Sequence, residues 1–172
     1  MATRTAVPSQ TPRLSPFAPD TYERLLSVAA LLLLGAVAIS LFKGRAEWPQ
    51  VPPTIWFHLV TIIVALALTP TMLLRPRGDR IHRRLGWVWA SAMMVTALST
   101  FAIRTIHPGQ LWLIHILSAW TVIQVPLLVW RARTHNVVKH RAAVRRMVTG
   151  ALLIAGIFTF PFNRLMGHWL FG

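Results

Sequence analysis

The chain of 172 residues contains no cysteine and very few acidic residues. The lack of cysteine excludes disulfide scaffolds, iron–sulfur clusters, thiolate zinc sites and cysteine nucleophiles. The only carboxylates, Asp20, Glu23, Glu47 and Asp79, leave little scope for catalysis by a pair of acids. Charged residues make up 13% of the chain, about half of the ordinary share, so a water-soluble globule is excluded. Ligation or proton transfer therefore falls to the seven histidines.

Hydrophobic residues, 55% of the chain, are gathered into five long blocks. The blocks cover residues 25–42, 55–74, 86–103, 111–130 and 147–162, and none of them contains an acid. Each approaches the roughly 20 residues that a helix needs to cross the hydrocarbon layer. The pattern predicts an all-α integral membrane protein, with five transmembrane helices in a single domain over residues 25–172. The proline-rich residues 1–24 are predicted to form a flexible cytoplasmic tail.

Lysine and arginine are distributed unevenly between the segments that connect these blocks. The tail, the second connection and the fourth connection carry 14 of the 18 basic residues. Because positively charged connections stay in the cytoplasm, the N-terminus is predicted to be cytoplasmic and the C-terminus outside. The charge is thereby explained by membrane orientation and by contact with anionic lipids, and no nucleic-acid partner is expected.

Four consecutive predicted helices each carry one histidine near the N-terminal end. Their expected N-caps include Thr54 for helix two, Asp79 for helix three and Asn136 for helix five. The four histidines are His58, His82, His115 and His140, in chain order.

Because neighbouring helices run in opposite directions, the histidines are expected to meet in two pairs. His58 and His115 belong to the outer side, and His82 and His140 to the cytoplasmic side. Each pair comes from diagonal members of a four-helix bundle made by helices two to five. Two imidazoles facing each other across a bundle can supply both axial ligands of a haem b, so one or two haems are predicted.

The surroundings of the two pairs leave different alternatives open. His58 and His115 lie in apolar sequence, where an imidazole either serves function or is a neutral group bonded to a neighbouring helix. His82 and His140 lie among arginines, where a histidine is either solvated or a haem ligand. In the second case the arginines would pair with haem propionates, and the candidates are Arg83, Arg84 and Arg141. His107 and His168, at the outer edge, are expected to be interfacial, with contact to a surface metal or a quinone head group as the alternative, and His135 is expected to be solvated.

These residues resemble a bacterial membrane family, the domain of unknown function 2306 proteins. The resemblance is carried by Pro53-x4-His58, Gly78-x3-His82-Arg83-x2-Gly86, His115 and His140-Arg141-x5-Met147. It covers most of the chain, and it implies a location in the bacterial cytoplasmic (inner) membrane.

The histidine layout is also similar to that of the cytochrome b-561 group of transmembrane di-haem proteins. Ligands there likewise open four consecutive helices and pair two-with-four and three-with-five. The chain departs from that group in having five predicted spans instead of six.

The sequence thus predicts a b-type cytochrome-like carrier, an oxidoreductase if it is an enzyme. It would pass electrons between a quinol or soluble donor and an acceptor. The alternative is a haem-free accessory or scaffold subunit of a larger membrane complex, in which the histidines only connect helices.

Overall fold

A computed structural model of the protein describes residues 18–103, 113–161 and 164–172. All regular structure in these ranges is helical, as the sequence predicts, and no strand occurs in them. The longer helices are α1 (Thr21–Lys43), α2 (Pro53–Leu74), α3 (Arg80–Thr100), α4 (Leu113–Arg133) and α5 (Val137–Met147). Two short helices follow, α6 (Ala155–Ile157) and α7 (Leu165–Phe171). A 3-10 segment (Gly44–Gln50) extends α1, and a π-helical segment (Val148–Ile154) joins α5 to α6.

Three of these helices are long and apolar enough to cross a membrane. They are Thr21–Gln50, Pro53–Leu74 and Ile114–Arg133, and they contain most of the predicted spans 25–42, 55–74 and 111–130. The chain is therefore a multi-pass membrane protein. The helices that contain the predicted spans 86–103 and 147–162 are not long and apolar enough by the same criterion. Only 16 residues of α3 follow Arg84, and the last apolar helix is interrupted by the π-helical segment.

Two of the three N-cap residues predicted from the sequence are found at the starts of their helices. Asp79 Oδ1 accepts a hydrogen bond from the backbone N–H of His82 at 2.6 Å, and Asn136 Oδ1 accepts one from Lys139 at 3.1 Å, so both caps are confirmed. Thr54 is not the cap of α2, because the helix begins at Pro53. Proline suits the first helical position, since its φ is fixed and it lacks the N–H that would go unpaired there.

The first helix begins one turn earlier than the sequence predicts. Asp20 is its N-cap, and Glu23 completes a capping box with it, so residues 21–24 of the predicted tail are helical. Residues 1–17 of that tail lie outside the described residues, as do His107, residues 111–112 of the fourth predicted span and residue 162 of the fifth.

The long helices pack in chain order, α1 on α2, α2 on α3, α3 on α4 and α4 on α5. The π-helical segment then returns to contact α1 and α2. The side chains at the centre of this arrangement are almost completely buried, and they include Leu66, Met93, Met147 and Leu152.

Helix α7, which the sequence does not predict, packs on the end of α1. The Trp169 side chain lies against Gly44, and its indole N–H donates to Glu47 at 3.1 Å. A Cβ on Gly44 would overlap the indole ring, so the close approach requires glycine. The Nε2 of His168, a residue expected at the membrane interface, lies 3.5 Å from the other carboxylate oxygen of Glu47.

Candidate functional site

Segments predicted to share one side of the membrane meet at one end of the helices. The Glu23 carboxylate, at 1% exposure, is held by Arg77 from the α2–α3 connection and by Arg141 and Arg145 from α5. Asp20 also pairs with Arg141 and Arg145. The start of α1 and two basic connections are therefore bound together, and we refer to this region as the basic end.

The basic end encloses a cavity of about 360 Å³. This volume falls at the lower limit of ordinary small-molecule sites. His82 of α3 and His140 of α5 both line the cavity, as the predicted inner pair requires. Gly86 lies in its wall, one turn after His82. The remaining wall is largely apolar and includes Met72, Leu73, Trp87, Trp89, Leu128, Val129, Val144 and Val148.

The two imidazoles are held differently. His140 Nδ1 lies 3.1 Å from the carbonyl oxygen of Leu128, an acceptor only, so this nitrogen carries the proton and donates. The lone pair of His140 is consequently on Nε2, as in a metal ligand that is oriented by a backbone carbonyl. The Nδ1 of His82 is buried and has no hydrogen-bond partner within the described ranges. A buried polar atom without a partner is rare in folded proteins, which makes this nitrogen a candidate contact for a ligand.

Both imidazoles precede the predicted spans, and the pKa of each is lowered, which favours the neutral form. Burial lowers the pKa of His82, and repulsion by a protonated His140 lowers it further. Burial also lowers the pKa of His140, against the opposing effect of its bond to Leu128. Neutral imidazole is the form that can coordinate iron.

The predicted propionate partners fall in three different places. Arg83 lines the cavity and donates to the Gly78 carbonyl at 3.3 Å. Arg141 also lines it, but its guanidinium is engaged by Glu23 and Asp20. Arg84 is exposed and does not belong to the cavity wall.

Two further polar residues of the cavity wall are not predicted from the sequence. Arg133 lies in the wall with its guanidinium over the Trp87 ring, 5.4 Å from the centroid. His135, expected to be solvated, is exposed yet contributes to the wall from the turn between α4 and α5. Its φ of 56° is unusual for a residue other than glycine.

Glu23 was also missed, although a local signal was present. Asp20 and Glu23 have the spacing of a capping box, in which each side chain accepts from the backbone N–H of the other residue. This pattern predicts where the helix starts. It does not predict that the buried Glu23 carboxylate forms ion pairs with three arginines.

The predicted outer pair lies at the opposite end of α3 from His82. His58 Nδ1 is 2.9 Å from Ser99 Oγ, and the Ser99 hydroxyl itself donates to the Thr96 carbonyl at 2.9 Å. His58 therefore donates from Nδ1. His115 is buried, with its ring centroid 5.7 Å from that of Phe101. Both histidines thus contact the end of α3, and neither lines the cavity at the basic end.

No group of three or more histidine, aspartate or glutamate side chains that could hold a metal occurs in the described part of the chain. A metal between His82 and His140 would take its remaining ligands from water or from a prosthetic group. A porphyrin would be one such group, with these two histidines as the residues that hold its iron.

Two known proteins, both named as subunits of NADH-quinone oxidoreductase, share part of this sequence. The one from Rhodopseudomonas palustris (strain HaA2) is 36% identical over 72 residues, which are 41% of this chain and 22% of that protein. The one from Rhodopseudomonas palustris (strain ATCC BAA-98 / CGA009) is 35% identical over 72 residues, with the same coverage. The match spans about a fifth of the length of these relatives. No protein-family model and no solved structure matches the chain.

Proposed function

We propose that the protein is an electron carrier of the b-type cytochrome kind in the bacterial inner membrane, with haem b between His82 and His140. The observation that carries the proposal is the shared cavity. Two histidines from two helices line it, and one of them has a buried ring nitrogen with no hydrogen-bond partner in the described ranges. Bound haem would supply one-electron redox chemistry. Ligation by two imidazoles leaves no open position for oxygen, which favours electron transfer.

The surrounding residues have distinct roles in this proposal. The Leu128 carbonyl orients His140, and the Asp79 cap holds the first turn of α3, where His82 lies. Gly86 leaves room for a flat macrocycle. Arg83 and Arg133 are placed to neutralise propionates, since a guanidinium matches a carboxylate with two parallel hydrogen bonds. Arg141 would shape the wall, with its charge balanced by Glu23 and Asp20, whereas Arg84 would remain at the surface.

A second haem between His58 and His115 belongs to the same proposal. It is supported by their common position at the end of α3 and by the Ser99 contact, which leaves the lone pair of His58 on Nε2. Haems at the two ends of α3 would connect a quinol or soluble donor with an acceptor on the other side.

The proposed topology has five spans. The last four would form a four-helix bundle made of α2, α3, α4 and the apolar helix that continues α5. The third and fifth spans, 86–103 and 147–162, begin after the basic residues of α3 and α5, which would lie in the headgroup region. By the distribution of basic residues, the basic end and the N-terminus would face the cytoplasm and the C-terminus the outside.

The test is a reduced-minus-oxidised visible spectrum of the purified full-length protein, together with a haem-to-protein ratio. We expect a b-type α-band that His82→Ala and His140→Ala each diminish by one haem. His168→Ala is the matched control, because His168 lies at the opposite end beside Glu47. If the two cavity variants retain the full haem content of the wild type, the assignment is wrong.

The second candidate is a haem-free accessory subunit of a larger membrane complex. It is favoured by the partial similarity to two proteins that are named as subunits of an NADH-quinone oxidoreductase. The similarity is equally compatible with a link to quinone in the first proposal. Colourless protein that copurifies with other membrane subunits would favour this candidate over the cytochrome.

A further inference from the structure

A second depression lies on the outer surface of the basic end, on the other side of α5 from the haem cavity proposed above. This groove of about 840 Å³ runs between Tyr22 of α1 and one face of α5 and the π-helical segment. Arg141, Arg145 and Arg146 of α5 line it, the last two from the final turn of that helix, and Thr149 and Gly150 line it from the π-helical segment that follows. The Tyr22 hydroxyl is hydrogen-bonded to Thr149 at 2.8 Å, which closes the groove between the two helices.

The groove carries an excess of positive charge. Arg141 and Arg145 share the carboxylates of Asp20 and Glu23, and the Arg145 guanidinium also lies over the Tyr22 ring at 5.5 Å. Arg146 is exposed, and its Nε donates to the Ala142 carbonyl at 3.3 Å. It has no ion pair with a carboxylate in the described ranges. One guanidinium is thus available for an anion from outside the chain.

Exposed apolar side chains follow the groove in sequence, in the π-helical segment and in α6. Beyond Gly150, the side chains of Ile154 and Ile157 are 49% and 58% exposed. Val138, at 77% exposure, flanks the basic part of the groove. The surface therefore has cationic groups beside an apolar face. This arrangement matches a phospholipid, which has an anionic headgroup and apolar acyl chains.

We propose that this groove binds one anionic phospholipid, with its phosphate at Arg145 and Arg146 and an acyl chain along Gly150, Ile154 and Ile157. Basic pockets between helices at the cytoplasmic surface are suited to acidic headgroups. The inference rests on the proposed placement of the basic end at the cytoplasmic surface, but it does not depend on haem, so loss of haem and loss of lipid binding are separate outcomes.

The test is native mass spectrometry of the full-length protein, titrated with phosphatidylglycerol or with phosphatidylcholine as the neutral reference. We expect preferential binding of one phosphatidylglycerol. Arg146→Gln should weaken it about fivefold, the effect expected of one basic residue at the surface. Lys139→Gln is the matched control, since it removes one exposed charge from the same helix outside the groove.

A second pair of variants tests the apolar part without changing charge. A Cβ at either Gly150 or Gly35 would meet nothing within 4 Å, so both positions accept a larger side chain. Gly150→Leu should fill the groove and reduce binding at least as much as Arg146→Gln, whereas Gly35→Leu should leave it unchanged. Equal losses in Arg146→Gln and Lys139→Gln, equal affinity for the two lipids, or full binding by Gly150→Leu would each overturn the proposal.

Discussion

Glu23 and Arg141 are joined by two hydrogen bonds of 2.8 Å, from Nε to Oε1 and from Nη2 to Oε2, although 118 residues separate them in sequence. Both side chains line the cavity that contains His82 and His140. Helix α1 therefore contributes to the candidate cofactor site, although the sequence assigns that site to the helices that follow it. The ion pair couples the stability of the helix arrangement to the shape of the cavity.

We expect Glu23→Gln to destabilise the protein strongly. The substitution would leave the guanidinium groups of Arg77, Arg141 and Arg145 short of a shared negative charge in a largely buried position. Breaking such a group costs about 2 to 4 kcal/mol when partial exposure of two of the arginines is considered. Thermal unfolding in detergent measures the loss. Glu47→Gln is the control, because Glu47 is partly exposed at the opposite end and its removal should cost less than about 1 kcal/mol. Equal losses would contradict the special role of Glu23.

Stability should also depend on the ionisation of Asp20. Burial opposes the charge on this carboxyl, but the hydrogen bond from Glu23 and the charges of Arg145 and Arg141 outweigh it and lower its pKa. A pKa lowered on folding stabilises the folded state above the ordinary value, and this stabilisation is lost as the pH falls through the lowered value.

Unfolding temperatures should be measured from about pH 6 down to about pH 3. They should fall once the pH drops below about 4, the ordinary pKa of aspartate. Asp20→Asn keeps an N-cap acceptor but removes the charge, so its decline should be shallower than that of the wild type. Parallel curves would show that Asp20 does not contribute to the pH dependence.

Gly86 offers a way to fill the cavity while keeping the fold. A Cβ at this position would meet only the terminal methyl group of Met72, at 3.4 Å, which is an ordinary contact with a flexible side chain. Gly86→Leu should therefore fold like the wild type but lose haem from the site of His82 and His140. The haem-to-protein ratio measures the effect, with Gly35→Leu as the control. A Gly86→Leu protein with undiminished haem would exclude this cavity as the site.

Gly44 should tolerate no side chain at all. Even the methyl group of alanine would overlap the Trp169 ring and displace α7. We expect Gly44→Ala to cost about 1 to 3 kcal/mol in unfolding free energy, as overpacking usually does. Gly35→Ala, on the open surface of α1, should be neutral or stabilise by up to about 1 kcal/mol. A Gly44→Ala protein as stable as Gly35→Ala would contradict the packing of α7.

Local chemistry accounts for what could be predicted from the sequence. Long apolar blocks fix the existence of helices, and Asp79 and Asn136 fix two of their starts, because each cap bonds a backbone group only three residues away. His82 and His140 could be expected at one cavity because neighbouring helices run in opposite directions. Histidines at the starts of the third and fifth helices therefore lie at the same end.

Contacts that depend on helix rotation could not be predicted in this way. Arg83 and Arg84 are neighbours with the same chemistry, yet only Arg83 reaches the cavity wall, because the packing of α3 selects one side of the helix. Arg133 reaches it from another helix, and no local pattern marks it. The seven residues of α7 are too few to give a helical period, and their packing on Gly44 depends on a contact with a distant segment.

Both ends of α1 are completed by segments that lie far along the chain. Glu23 requires Arg141 and Arg145, which are 118 and 122 residues away, and the region of Glu47 and Gly44 requires Trp169. Helix α1 therefore carries an unsatisfied carboxylate near one end and an unfilled contact near the other until α5 and α7 have been synthesised. The final seating of α1 consequently has to wait for α5 and α7, although α1 precedes both in the chain.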